Sequence, residues 1–141
     1  MLHKKQNDRT RKLNPKLGWL GILGFVGLSG IWSYQENNEV FPFIFLGFFG
    51  FFGFFFEGKM SNTLKDERYI ENRMKAQPKA YRIGFSITAI TLIASSWNWL
   101  FRTNDSRLLF ITITLSLSCA LVIFLAEYLL YHYDIKDNGE G

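Results

Sequence analysis

Apolar and polar positions along the chain fall into long separate blocks. Residues 17–34, 40–56, 81–101 and 108–131 are almost wholly apolar, and none of the four has a charge in its central part. At about 1.5 Å per residue, each is about long enough to cross a hydrocarbon core of roughly 30 Å. The pattern predicts an all-α, polytopic membrane protein with four transmembrane helices in two hairpins. The second block is the shortest, so it is expected to need local bilayer thinning or support from its neighbours.

Inside the first two blocks a second period appears. Gly18, Gly21, Gly24, Gly27 and Gly30 recur every third residue, and Gly47, Gly50 and Gly53 repeat the beat. Trp, Leu, Ile, Val and Phe fill the gaps, not the proline of collagen. The G-x-G-x-x-G spacing of a nucleotide-binding loop is absent from both stretches. On an α-helix, a step of three advances about 300°, so each ladder should trace a slow left-handed spiral. Small-residue surfaces let membrane helices approach closely. The expectation is a tight hairpin of helices one and two, each ladder facing the other's bulky side chains; the alternative is compositional drift. A five-residue turn, 35–39, would join them. Pro42 suits a first helical turn. Trp19 and Trp32 fall where aromatic belts lie.

Between the hairpins the chain is charged. Thr63 with Asp66 fits a helix start, Ile70 and Met74 share a face, and Pro78 interrupts the run. These features predict an amphipathic helix over 64–76 on the membrane surface, or else a solvated connector. In the third block, Gly84, Thr88, Thr91, Ser95 and Asn98 form a small polar stripe that Arg102 continues. Packing, with hydroxyls bonded one turn back, is the plainer reading; a polar pathway is the sharper one. The fourth block opens with a strand-like alternation, ITITLSLS, but its length suits a membrane helix. Thr112 with Ser116 and Thr114 with Ser118 then give small pairs at i, i+4. Glu127 is an acidic residue near the end of that block, expected to pair with Arg82 or to handle a proton or partner.

Charge then sets orientation. The chain of 141 residues carries a formal +4, and its mean hydropathy of +0.04 hides the segregation. Fourteen of the 16 Lys and Arg lie in the N-terminal tail, the 57–82 segment and the C-terminal tail; only Arg102 and Arg107 lie in the last loop. The positive-inside rule places both termini in the cytoplasm of a bacterial cell. The expected layout is a basic tail (1–16), a glycine-ladder hairpin (17–56), a cytoplasmic connector (57–80), a second hairpin (81–131) and a cytoplasmic tail (132–141). A cleaved signal peptide over the first block is the rival, weakened by the long tail and the poor cleavage site at 27–29. The basic face suits contact with anionic lipid better than direct nucleic-acid binding. The single cysteine, Cys119, excludes an internal disulfide and is expected to be a small buried apolar residue. His3 and His132 have no metal-ligand spacing, and no nucleophile elbow or intramembrane carboxylate pair occurs. Neither an enzyme, a cofactor nor a metal is expected.

The stretches KLGWLGILGFVGLSG, FIFLGFFGFFGFFFEGKM and DERYIENRMKA resemble a family of small Gram-positive bacterial membrane proteins, domain of unknown function three-seven-nine-six. That resemblance covers residue 16 to the fourth block and implies no catalytic or binding residues. The D-E-R-x-x-x-N pattern is also similar to four-helix membrane proteins encoded beside helix-turn-helix regulators, which implies a regulatory role by analogy.

The functional expectation is a non-enzymatic membrane protein that senses membrane state or tethers a cytoplasmic regulator. Asp66, Glu67, Arg68, Glu71, Asn72 and Arg73 are the candidate partner-binding residues. Two alternatives are an immunity-like or small transport protein using the polar stripe with Glu127, and a structural or homo-oligomeric subunit docking through the glycines.

Overall fold

A computed structural model describes residues 14–37, 39–60 and 67–139. Helix α1 begins as a 3-10 helix, Pro15–Val26, and continues as an α-helix, Gly27–Asn37. Helix α2 does the same: 3-10 over Phe41–Gly53, then α over Phe54–Lys59. Helices α3, Glu67–Ser96, and α4, Asn104–Gly139, are α-helical throughout. The ITITLSLS alternation lies inside α4.

The 3-10 segments account for the three-residue beat. Runs of 3-10 helix longer than three or four residues are uncommon; here they reach 12 and 13 residues. With three residues per turn, positions i and i+3 eclipse, so glycines at every third position stack in one straight column. On an α-helix the column would drift by about 60° per step and could not follow one neighbour. The spiral expected from the sequence is therefore replaced by three straight columns on α2. One holds Gly47, Gly50 and Gly53; one holds Phe49, Phe52 and Phe55; one holds Phe45, Phe48, Phe51 and Phe54. Rings within a column lie 5.5 to 6.1 Å apart. That is the pitch of about 6 Å that three residues rising about 2.0 Å each would give.

Each glycine column meets a different neighbour. The glycines of α1 face α2: a Cβ at Gly21, Gly24 or Gly27 would lie 2.8, 2.6 or 2.7 Å from the ring of Phe55, Phe52 or Phe49. At Gly18 the contact is backbone on backbone, 3.0 Å from the Cα of Gly58, and at Gly30 it is the Pro42 carbonyl. The ladder glycines of α2, Gly47, Gly50 and Gly53, however, face α4, not α1. A Cβ at Gly50 would lie 2.7 Å from the Ala120 oxygen, and one at Gly53 would lie 2.9 Å from the Phe124 Cα. The expectation that the two ladders serve one hairpin thus holds for the first ladder only. The second joins the two hairpins.

The helices therefore stand in an open row: α1 packs on α2, α2 on α4, and α4 on α3. No other pair of described helices approaches backbone to backbone. Rising about 2.0 Å per residue through its 3-10 part, α2 reaches about 35 Å, against about 28 Å as a pure α-helix. That length is enough to cross a hydrocarbon core of roughly 30 Å without the thinning its residue count suggested. Pro15–Glu36, Phe41–Lys59 and Asn104–Lys136 are long and apolar enough to cross a membrane.

Helix α3 departs most from expectation. It starts in the charged segment, runs unbroken across Pro78 and stops at Ser96, before the 101 expected. Its apolar part, 81–96, would rise only about 24 Å, and α3 is not among the candidate spans. A proline inside a helix removes a hydrogen bond and costs about 3 kcal/mol. Ala76 and Ala80, on either side of Pro78, are fully buried, and that packing offsets part of the cost. Among the described residues, 67–76 belong to this continuous helix and not to a separate surface helix; Thr63, Leu64 and Asp66 lie outside the described residues. Helix α4 likewise continues past 131 to Gly139, so most of the expected C-terminal tail is helix. Helix α1 runs to Asn37, shortening the expected 35–39 turn.

Candidate functional site

The two long helices project together beyond the end of α2. Met60, Tyr69, Ala76 and Leu130 form a buried cluster there, with Leu129, Tyr131 and Tyr133 packed against it. Polar groups are buried beside it: Glu57 at the end of α2, Asn72 on α3 and Asp134 on α4. Burial pushes the Tyr69 hydroxyl up to about 12; Arg73 opposes that shift, while Glu57, Glu127 and Asp134 add to it. These charged groups, from three helices, thus lie within electrostatic reach of one phenol. Phe56 rests on Phe124, Tyr128 and Tyr131 at centroid distances of 5.7, 5.3 and 5.3 Å, tying α2 to α4. Lys79 Nζ donates to Tyr133 Oη at 2.6 Å and tops its ring, linking α3 to α4.

The outer surface of this projection carries the candidate partner residues. Glu67, Arg68, Glu71 and Arg73 are exposed, and Lys75 bridges to Glu71 at 2.8 Å, one turn apart. Asn72 is different: at 2 % exposure it belongs to the interior and is not available to a partner. Its place in the middle of a charged run hid that from the sequence. Asp66 lies outside the described residues.

Glu127 faces α2, since a Cβ at Gly53 would lie 3.3 Å from the Glu127 Cβ. The charges acting on it are Glu57 and Arg73, not the expected Arg82, which is exposed. From the sequence, Asn72 and Arg73 are candidates for partner binding and Glu127 for an intramembrane role, while Glu57, Tyr69 and Asp134 receive no site role. Only the packing of α3 and α4 around the end of α2 brings them together.

The polar stripe of α3 divides. Thr91 and Ser95 donate to the carbonyls of Ile87 and Leu92, one turn back. Gly84 lies where α3 crosses α4: a Cβ there would strike Val122, and Ser118 Oγ donates to its carbonyl at 3.1 Å. Thr88 is half-buried. Asn98 lies beyond the helix and accepts from Arg107 Nη2 at 2.7 Å. Cys119 is exposed on α4, contrary to the expected burial. An apolar cavity of about 480 Å³ lies along α4 between Phe49 of α2 and Ile87 of α3. Among the described residues no group of His, Cys, Asp and Glu is arranged to hold a metal ion.

Residues 14–135 match the family described as "Predicted membrane protein (DUF2178)", and the chain belongs to that family. A membrane-protein family of unknown function was expected, but the match is to this family and not to the one numbered three-seven-nine-six. It carries no restriction to Gram-positive bacteria. No curated protein and no solved structure matches the chain.

Proposed function

We propose that this protein is a non-enzymatic, four-span protein of the bacterial cytoplasmic membrane that docks a cytoplasmic partner on the projecting ends of α3 and α4. In this reading both termini are cytoplasmic, and α3 crosses the bilayer as the fourth span through its contacts with α4. The observation that supports docking is the continuity of α3. One unbroken helix, Glu67–Ser96, joins an exposed charged surface to an apolar segment. A rigid rod of that kind would transmit a shift in the bilayer to Glu67, Arg68, Glu71 and Arg73, whose charges would select the partner. A transcription regulator held at the membrane is such a partner.

Crosslinking tagged protein in native membranes tests this. Wild type should recover a cytoplasmic protein that is lost when Asp66, Glu67, Arg68, Glu71 and Arg73 are all alanine. Equal recovery from both would end the docking reading. A structural role in a larger membrane complex is the second reading, favoured by the open row, in which α1 and α3 each have one neighbour. Transport or immunity through the polar stripe gains less support, because the Thr91 and Ser95 hydroxyls are already bonded within their own helix.

A further inference from the structure

Gly18 and Gly58 cross backbone to backbone at the basic end of the α1–α2 pair. Because neither has a side chain, the two helices leave a groove beside the crossing. Gly18, Trp19, Ile22, Phe55, Gly58 and Lys59 line it, and its volume is about 510 Å³, within the usual range for ligand pockets. Its wall is apolar along Ile22 and Phe55. Its rim is not. Trp19 stands 73 % exposed there, an amphipathic ring at interfacial depth. Lys59 lines the groove, and its ammonium lies 5.7 and 5.8 Å from the ring centroids of Phe56 and Tyr131. Among the described residues neither Lys59 nor the exposed Lys16 forms an ion pair. Asn14, which caps α1, accepts from the Lys16 backbone amide at 3.0 Å and fixes the start of the helix beside the rim.

We infer that this groove binds one anionic phospholipid of the cytoplasmic leaflet. An acyl chain lies along Ile22 and Phe55, and the phosphate group meets Lys59 and Lys16. The apolar wall and the charged rim match the two halves of such a lipid in the right order. Cations at a membrane surface favour anionic over zwitterionic headgroups. The inference rests on the orientation proposed above, which puts the basic end in the leaflet rich in anionic lipid, but it does not depend on a docked partner.

Trp19 reports on the site directly. A chain retaining Trp19, with Trp32, Trp97 and Trp99 changed to Phe, is placed in phosphatidylcholine vesicles. Brominated phosphatidylglycerol or brominated phosphatidylcholine is then added at equal mole fraction. Quenching by the anionic lipid should show an apparent association about five- to thirtyfold stronger, the range that one to two lysine contacts supply. Lys59→Gln with Lys16→Gln should bring the two lipids to parity, and Lys59→Arg with Lys16→Arg should keep the preference. Equal quenching of the wild-type site by both lipids would overturn the assignment without any substitution at the groove. Absence of quenching by either lipid would also overturn it, and would point to a second copy over Trp19. A preference that survives the double glutamine change would remove the lysines from the site.

Discussion

Gly50 and Ala120 hold α2 and α4 at backbone contact, where a Cβ on Gly50 would lie 2.7 Å from the Ala120 carbonyl oxygen and 2.9 Å from its Cα. One turn earlier in the same column, Gly47 has only the Ser116 carbonyl nearby, at 3.8 Å. The pair gives an internal control. Gly50→Ala should destabilise the protein in detergent by about 1 to 3 kcal/mol through overpacking against backbone that cannot turn aside. Gly47→Ala should be neutral, or stabilising by up to about 1 kcal/mol through helix propensity. Thermal melting of the two variants measures the difference.

The columns make a second expectation that separates a 3-10 from an α-helical α2. Three residues restore the phase of a 3-10 helix, and four leave it about 120° out. Inserting Gly-Phe-Phe after Phe52 should keep the glycine column on α4 and the Phe column on α1, and yield folded protein. Inserting Gly-Phe-Phe-Ala should not. The yield of monodisperse protein after extraction reads the outcome, and the reverse order would mean that α2 is α-helical.

At the projecting end, burial and exposure alternate within one charged stretch. Asn72 is buried, while Glu71 is exposed and, among the described residues, paired with Lys75. Asn72→Ala should cost about 1 to 3 kcal/mol, the range for a buried polar group whose environment is broken. Glu71→Ala should cost no more than about 0.5 kcal/mol, as exposed i, i+4 ion pairs contribute little. Hydrogen exchange across Glu67–Ser96 would show faster opening in the first variant and none in the second.

The Tyr69 hydroxyl should ionise above the ordinary phenol range. Burial favours its neutral form, so the folded value near 12 lies above the ordinary phenol value of 10. The folded state then holds more protons than the unfolded state between pH 10 and 12, and stability falls as pH rises through that window. Absorbance titration against Tyr69→Phe should remove a transition near pH 12. A Tyr69 that titrates with the exposed tyrosines would contradict its burial.

The sequence was legible where one period served one purpose. Charge-free blocks located the apolar parts of the helices, and glycine at every third residue showed that small residues were needed in a line. It did not show which helix type straightens that line, because the same beat also fits an α-helix with a drift of about 60° per step. Nor did it show that Gly50 and Gly53 meet α4, since the neighbour of a column depends on the order of helices in the row. The charged 57–80 segment misled in another way. Ala76 and Ala80 around Pro78 carry no strong signal by themselves, yet their burial against α4 overrides the proline as a helix stop. Glu57, Tyr69, Asn72 and Asp134 are spread over 78 positions of the chain, and no local pattern could join them.

If α3 carries the chain across the bilayer from a cytoplasmic charged end, its first turns and the start of α4 lie on opposite sides of the membrane. Cys119→Ser supplies a cysteine-free background, into which Glu71→Cys and Asp105→Cys are introduced one at a time. A membrane-impermeant maleimide is then applied to intact cells and to permeabilised cells. Asp105→Cys should label in intact cells, while Glu71→Cys should label only after permeabilisation. Labelling of both positions from the same side would place α3 on one face of the membrane and contradict the four-span reading.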